Sequence, residues 1–187
     1  QEQHLEMARN FAQRFNYRYG ELFPEPQAFN YGSDLVKVPG LDGAGKMSKS
    51  ENQFATLYLN DDDELIRKKV MKAKTDAGPT LEPKSSNSLK SPGIENLFQL
   101  MTLVSEESTV RKFDADYNEG NIRYGDMKKQ LADDMVKFIT PIRQKAEHIY
   151  GDKSYLKKII KDGAEMARAS AKKTIEEVRA LIGLKYF

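Results

Sequence analysis

The chain has 187 residues, room for one ordinary domain or two small ones, and its 39% apolar and 31% charged content excludes a disordered or membrane-embedded polypeptide. Thirty Lys and Arg against 28 Asp and Glu leave a net charge of +2, so any nucleic-acid surface must be a local patch and not a global field. Because cysteine is lacking, disulfides, thiolate metal sites and thiol catalysis are excluded together, and the composition fits a reducing, cytoplasmic setting.

The first residues, Gln1 to His4, show neither an initiator Met nor the basic and apolar run of a signal peptide, and the chain reads as a piece of a longer one. From Gln3 to about Tyr19, Leu5, Ala8, Ala12 and Phe15 recur at three- and four-residue steps, which predicts a helix stopped by Gly20. Leu22 to Gly32, with Pro24, Pro26 and three aromatics, reads as an extended connection whose rings pack on a neighbouring layer. Leu35 to Val38 is a short β-like run. Pro39 to Gly45 is a glycine-rich, mobile loop leading into Lys46, Met47, Ser48, Lys49 and Ser50.

Asn60 followed by Asp61, Asp62, Asp63 and Glu64 is an acidic helix start, with Leu65, Ile66 and Val70 inward and Arg67, Lys68, Lys69 and Lys72 complementing the dipole at the far end, near Ala73. Thr75 to Ser91 is loop by composition. Pro92 and Gly93 open a helix with the stripe Ile94, Leu97, Phe98, Met101 and Val104. Helices are expected from Glu106 to about Tyr117, from Gly125 to about Tyr150 with Leu131, Met135, Phe138 and Ile142 inward, and from Ser154 to about Ile182. Pro141 should bend the long one. No internal repeat is visible, and a composition break near residues 55 to 60 separates a small mixed segment from a helical bundle.

The lysine loop carries the chemistry. Two ammonium groups three residues apart, with hydroxyls beside them and glycines in front, suit a polyphosphate: point charge from Lys46 and Lys49, hydrogen bonds from Ser48 and Ser50, and a hinge that closes and reopens. The thioether of Met47 offers little to a phosphate and is expected to pack beneath the loop. By itself a five-residue basic loop is more often a solvated turn.

In full, Lys46-Met47-Ser48-Lys49-Ser50 resembles the signature loop of class I aminoacyl-tRNA synthetases, and the surroundings resemble the tryptophan-specific family. Gln1-Glu2-Gln3-His4-Leu5-Glu6 with Ala8-Arg9, Ala12 and Arg14-Phe15-Asn16 is similar to the helix after that family's Gly-x-Asp-Gln motif, and Leu22-Phe23-Pro24-Glu25-Pro26 continues the likeness. Lys74-Thr75-Asp76, Pro92-Gly93-Ile94-Glu95-Asn96-Leu97-Phe98 and Gly163-Ala164-Glu165 with Ala167-Arg168 are similar to its helical part. The likeness covers the second half of the family's length. The His-x-Gly-His-type signature and the acidic residue that reads the indole are expected upstream of Gln1, so this chain alone is not expected to catalyse.

The resemblance implies a mainly α chain: residues 1–58 as the carboxy-terminal remnant of a Rossmann-type catalytic domain with the lysine loop, and residues 59–187 as a helical anticodon-binding bundle with the last helix. It implies ATP-dependent attachment of tryptophan to tRNA(Trp) through an adenylate, in a cytoplasmic homodimer with no membrane partner. Lys46 and Lys49 would act on the leaving pyrophosphate, Lys37, Val38, Lys46, Met47, Ser48, Lys49 and Ser50 would form the ATP site, and Gln1 would touch the amino acid or the ribose. Mg2+ would enter on ATP, with no prosthetic group. His4 and His148 lack a ligand spacing, and an acidic first turn explains Asp61 to Asp63, so no protein-held metal is expected.

For tRNA, Arg123, Tyr124, Asp126 and Lys128 at a helix start are candidates for anticodon bases. Lys153, Lys157, Lys158, Lys161, Arg168, Lys172 and Lys173 could neutralise phosphates, but interspersed acids make a solvated face as good a reading. Rival readings are a tyrosine-specific relative, a non-catalytic RNA-binding helical module, and a bundle with no ligand site.

Overall fold

The computed structural model describes residues 2–29, 37–48, 52–75 and 90–184. Among them the architecture is helical: α1 Glu2–Tyr19, a short 3-10 turn Gln53–Ala55, α2 Asp63–Met71, α3 Pro92–Val104, α4 Glu107–Asn118, α5 Tyr124–Gly151 and α6 Lys153–Leu181. No strand forms among the described residues. The β-like run ends as irregular chain at Lys37 and Val38, with one antiparallel bridge between Pro39 and Lys46 beyond it, while Leu35 and Val36 lie outside the described residues. No helix among the described residues is long and apolar enough to cross a membrane.

The chain divides into two compact units, Gln1–Leu35 with Ile149–Phe187, and Val36–His148. This partition differs from the expected break near residue 58. The lysine-loop segment packs with the helices that follow it, a consequence of backbone pairing that composition does not register.

In the first unit α1 ends at Gly20, whose φ of +110° is a conformation that side chains resist, and whose N–H donates to the Asn16 carbonyl at 2.9 Å. Asn16 then organises the exit. Its side-chain oxygen accepts from the amides of Leu22 and Phe23, and its Nδ2 donates to the Phe23 carbonyl at 2.8 Å. The returning segment is held along α1 by Arg9, which donates to the Pro26 carbonyl at 2.9 Å, and by Phe23, which meets Phe15 edge-on with centroids 4.9 Å apart. Of the expected apolar stripe on α1 only Ala12 is buried, and α6 buries no residue.

The second unit holds the main core: Ile66 and Val70 of α2, Ile94, Leu97, Leu100 and Met101 of α3, Phe113 and Tyr117 of α4, and Met127, Leu131 and Ile139 of α5. Local sequence explains each start. Asp62 caps α2 by accepting from the Leu65 amide at 2.7 Å, and Pro92, which has no N–H to satisfy, opens α3. Helix α5 runs unbroken through Pro141. Phe138 and Ile142, expected inward, are 51% and 40% exposed. Leu131 and Met135 are buried as expected, and the buried residues of α5 run from Met127 to Ile139, so Ile142 falls beyond the last of them and Phe138 stays exposed although it lies on the same side of the helix.

Candidate functional site

The loop before the lysines is a closed turn. The Gly40 amide donates to the Gly45 carbonyl at 3.2 Å, the Met47 amide to the Val38 carbonyl at 2.8 Å, and Asp42 Oδ1 accepts from the Ala44 amide at 3.1 Å. Gly43 and Gly45 have φ of +76° and +47°, so both occupy the left-handed region that glycine enters without cost.

Three separate elements hold the base of this turn. The Leu41 amide donates to the Ala55 carbonyl at 2.9 Å, the Lys74 amide to the Leu41 carbonyl at 2.8 Å, and Asn96 Nδ2 of α3 to the Gly40 carbonyl at 2.9 Å. Gly43 and Gly93 approach so closely that a β-carbon on Gly43 would lie 3.1 Å from Gly93 Cα, and one on Gly93 would lie 2.6 Å from the Lys74 carbonyl oxygen. The turn therefore sits against the start of α3 and the end of α2.

On this base Lys46 is exposed, and Met47 turns inward against the core, its sulfur accepting from the Leu57 amide at 3.5 Å. The Ser48 carbonyl accepts from the Thr56 hydroxyl at 3.1 Å. Of the other residues assigned to the nucleotide, Lys37 and Val38 are exposed and stand beside Met47 through the Val38 carbonyl, while Lys49, Ser50 and Gln1 lie outside the described residues.

Behind the loop is a group that the sequence reading misplaced. Lys69, read as a surface complement to the α2 dipole, is buried: its Nζ donates to Asp61 Oδ2 at 2.6 Å and to the Thr56 carbonyl at 2.9 Å, and lies 4.7 Å from the centre of the Tyr58 ring. The side chains of Lys69 and Asp61 are 5% and 8% exposed. Asp61 also accepts from the Tyr58 amide at 2.9 Å. The three aspartates thus have three tasks: Asp61 pairs inside, Asp62 caps the helix, and Asp63 meets Arg143 at 2.6 Å and Thr140 at 3.1 Å. They do not converge on a common point. A sequence signal for the pair was available only as eight-residue spacing around a helix start, which charge counting assigns to the surface.

The four anticodon candidates divide. Arg123 and Asp126 are exposed at the start of α5, whereas Tyr124 packs against the core. Lys128 points inward, donating to the Ala73 carbonyl at 2.7 Å and to Thr75 Oγ1 at 3.3 Å, and burial pushes its ammonium below the usual lysine range. Along α6, Lys158, Lys161 and Lys172 stand within 4.0 Å of Asp162, Glu165 and Glu176, one turn onward, which favours a solvated face for those three.

A family model for class I tRNA synthetases (W and Y) matches residues 1–140. The chain is 51% identical over 186 residues to the tryptophan–tRNA ligase of Porphyromonas gingivalis, covering 99% of this chain and 55% of that protein. It is 37% identical over 188 residues to the tryptophan–tRNA ligase of Helicobacter pylori, covering 98% and 54%. Among solved structures, the tryptophanyl-tRNA synthetase of Campylobacter jejuni complexed with ADP and tryptophan superimposes with a TM-score of 0.75 at 28% identity, covering 97% of this chain and 54% of that one. The chain spans about half the length of the curated relatives it matches.

Proposed function

The chain belongs to the class I tRNA synthetases of the tryptophan and tyrosine family, and we propose that it is the carboxy-terminal half of an enzyme that joins tryptophan to tRNA(Trp) through a tryptophanyl-adenylate. The observation that carries this reading is 51% identity to a tryptophan–tRNA ligase along 99% of the chain. The ADP and tryptophan with which the Campylobacter enzyme is complexed support the same substrates here.

In this reading the carboxylate of tryptophan attacks the α-phosphate of ATP and pyrophosphate leaves. The reaction needs orientation and charge neutralisation more than covalent help. Lys46 and Lys49 stabilise the departing pyrophosphate, Ser48 and Ser50 donate to it, and the backbone at Lys37 and Val38 borders the adenine. Mg2+ enters with ATP, held by phosphate oxygens and water. Met47 contributes by seating the loop on the core.

Residues 1–58 take the role of a catalytic-domain remnant and residues 59–187 that of the anticodon-binding part, in a cytoplasmic homodimer. Gln1 touches the amino acid or ribose. Among the tRNA candidates, the exposed Arg123 and Asp126 are the better placed, because Lys128 already spends donors on the end of α2.

The test uses the full-length parent and measures tryptophan-dependent exchange of pyrophosphate into ATP. Lys49→Ala should lower kcat about 30- to 1000-fold with a smaller change in KM, corresponding to about 2–4 kcal/mol of transition-state stabilisation. Undiminished exchange would overturn the role of the loop. Exchange driven by tyrosine would favour the tyrosine-specific relative, and none with either amino acid a non-catalytic RNA-binding module.

A further inference from the structure

We propose that Thr56, backed by the buried Asp61–Lys69 pair, is a positioning residue for the lysine loop, setting where its ammonium groups stand relative to the nucleotide. This rests on the functional reading above and extends it to side chains that touch no substrate.

The Thr56 hydroxyl donates to the Ser48 carbonyl at 3.1 Å, and Ser48 immediately precedes Lys49 in sequence. The other side of Thr56 is fixed as well, since its carbonyl accepts from Lys69 Nζ at 2.9 Å. Lys69 is anchored in turn by Asp61 at 2.6 Å, and Asp61 accepts from the Tyr58 amide at 2.9 Å, so one carboxylate and one ammonium grip both ends of the segment 56–58.

Such a pair is an expensive way to hold a backbone, because burying two charges costs more than burying apolar groups of the same size. Its geometric benefit is direction. A buried ammonium with two fixed acceptors tolerates little displacement of either, whereas an apolar contact would let the segment slide. With the Met47 amide tied to the Val38 carbonyl at 2.8 Å, the stem is fastened at residue 47 as well as at residue 48, and Thr56 supplies the fastening next to Lys49 in sequence.

Thr56→Val keeps the shape and deletes the hydroxyl. In the full-length enzyme, with kcat normalised to sites titrated by adenylate formation, it should lower kcat for exchange about 3- to 10-fold, the worth of one hydrogen bond, and leave the KM for tryptophan unchanged. Thr56→Ser should restore most of the loss. A purely structural role would lower the number of titratable sites or Tm and spare kcat per site. Wild-type kcat per site in Thr56→Val, or a loss that Thr56→Ser does not relieve, would overturn the proposal. Lys49→Ala separates this from the parent reading. If it abolishes exchange while Thr56→Val does not slow it, only the positioning role fails; if it exchanges normally, the reading of the loop itself fails.

Discussion

Lys69 and Asp63 show how position decides what a charge is worth. Lys69→Met leaves the Asp61 carboxylate buried with the Tyr58 amide and without its counter-ion, and should cost about 3–5 kcal/mol in urea unfolding. Adding Asp61→Asn should recover part of that loss, a non-additivity that two independent surface charges would not show. Asp63 is half-exposed, and its carboxyl is held below the ordinary range chiefly by the hydrogen bond from Arg143. A carboxyl whose pKa is depressed on folding contributes stability that is complete above its unfolded value, near 4, and disappears as pH falls through the folded value. Thermal melts should therefore show Asp63→Asn below wild type at pH 7, with the gap closing below about pH 4; a gap independent of pH would mean that the charge of Asp63 contributes nothing.

Among the elements, the turn at residues 40–45 depends on glycine for reasons that differ from site to site. Gly93→Ala would drive a β-carbon to 2.6 Å from the Lys74 carbonyl oxygen, a backbone atom with little room to yield, and should cost about 1–3 kcal/mol. Gly43→Ala forces an alanine into φ +76° beside Gly93 and should cost about 1–2 kcal/mol. Gly163 lies inside α6 with nothing near its missing β-carbon, and Gly163→Ala should stabilise by about 0.5–1 kcal/mol. Equilibrium unfolding of the three variants checks the order, and a stabilised Gly93→Ala would refute the close approach of α3 to the Lys74 backbone. The helices themselves were legible because capping and period are local. Asp62 and Pro92 mark starts, and Gly20 marks an end. Which positions of α5 face inward was not, because Phe138 and Ile139 are equally apolar in sequence and only the neighbouring helices choose between them.

Across the molecule, stability is unevenly spread. The core of the unit Val36–His148 buries Ile66, Val70, Ile94, Leu97, Leu100 and Met101, whereas α6 buries no residue along its length. Hydrogen exchange on this chain should find the slowest amides in α2 and α3 and much faster exchange through α6, since a helix without a buried face closes on little more than its own hydrogen bonds. Equal protection in α6 and α3 would contradict that picture.

What the sequence determined alone is what short stretches can encode: the helical periods, the caps, the glycine-rich approach to Lys46, and the string at residues 46–50 by which the family is recognised. It also indicated that Met47 turns inward, because a thioether has little reason to face water. Only the tertiary structure decided that Asp61 and Lys69 meet in the interior, that Thr56 fastens Ser48, and that Lys128 serves the end of α2 before it could serve RNA. These contacts join residues eight to 55 positions apart, and the sign of a charge records neither its burial nor its partner. The same charged residue costs or contributes according to the dielectric around it, and that environment exists only once the helices have packed.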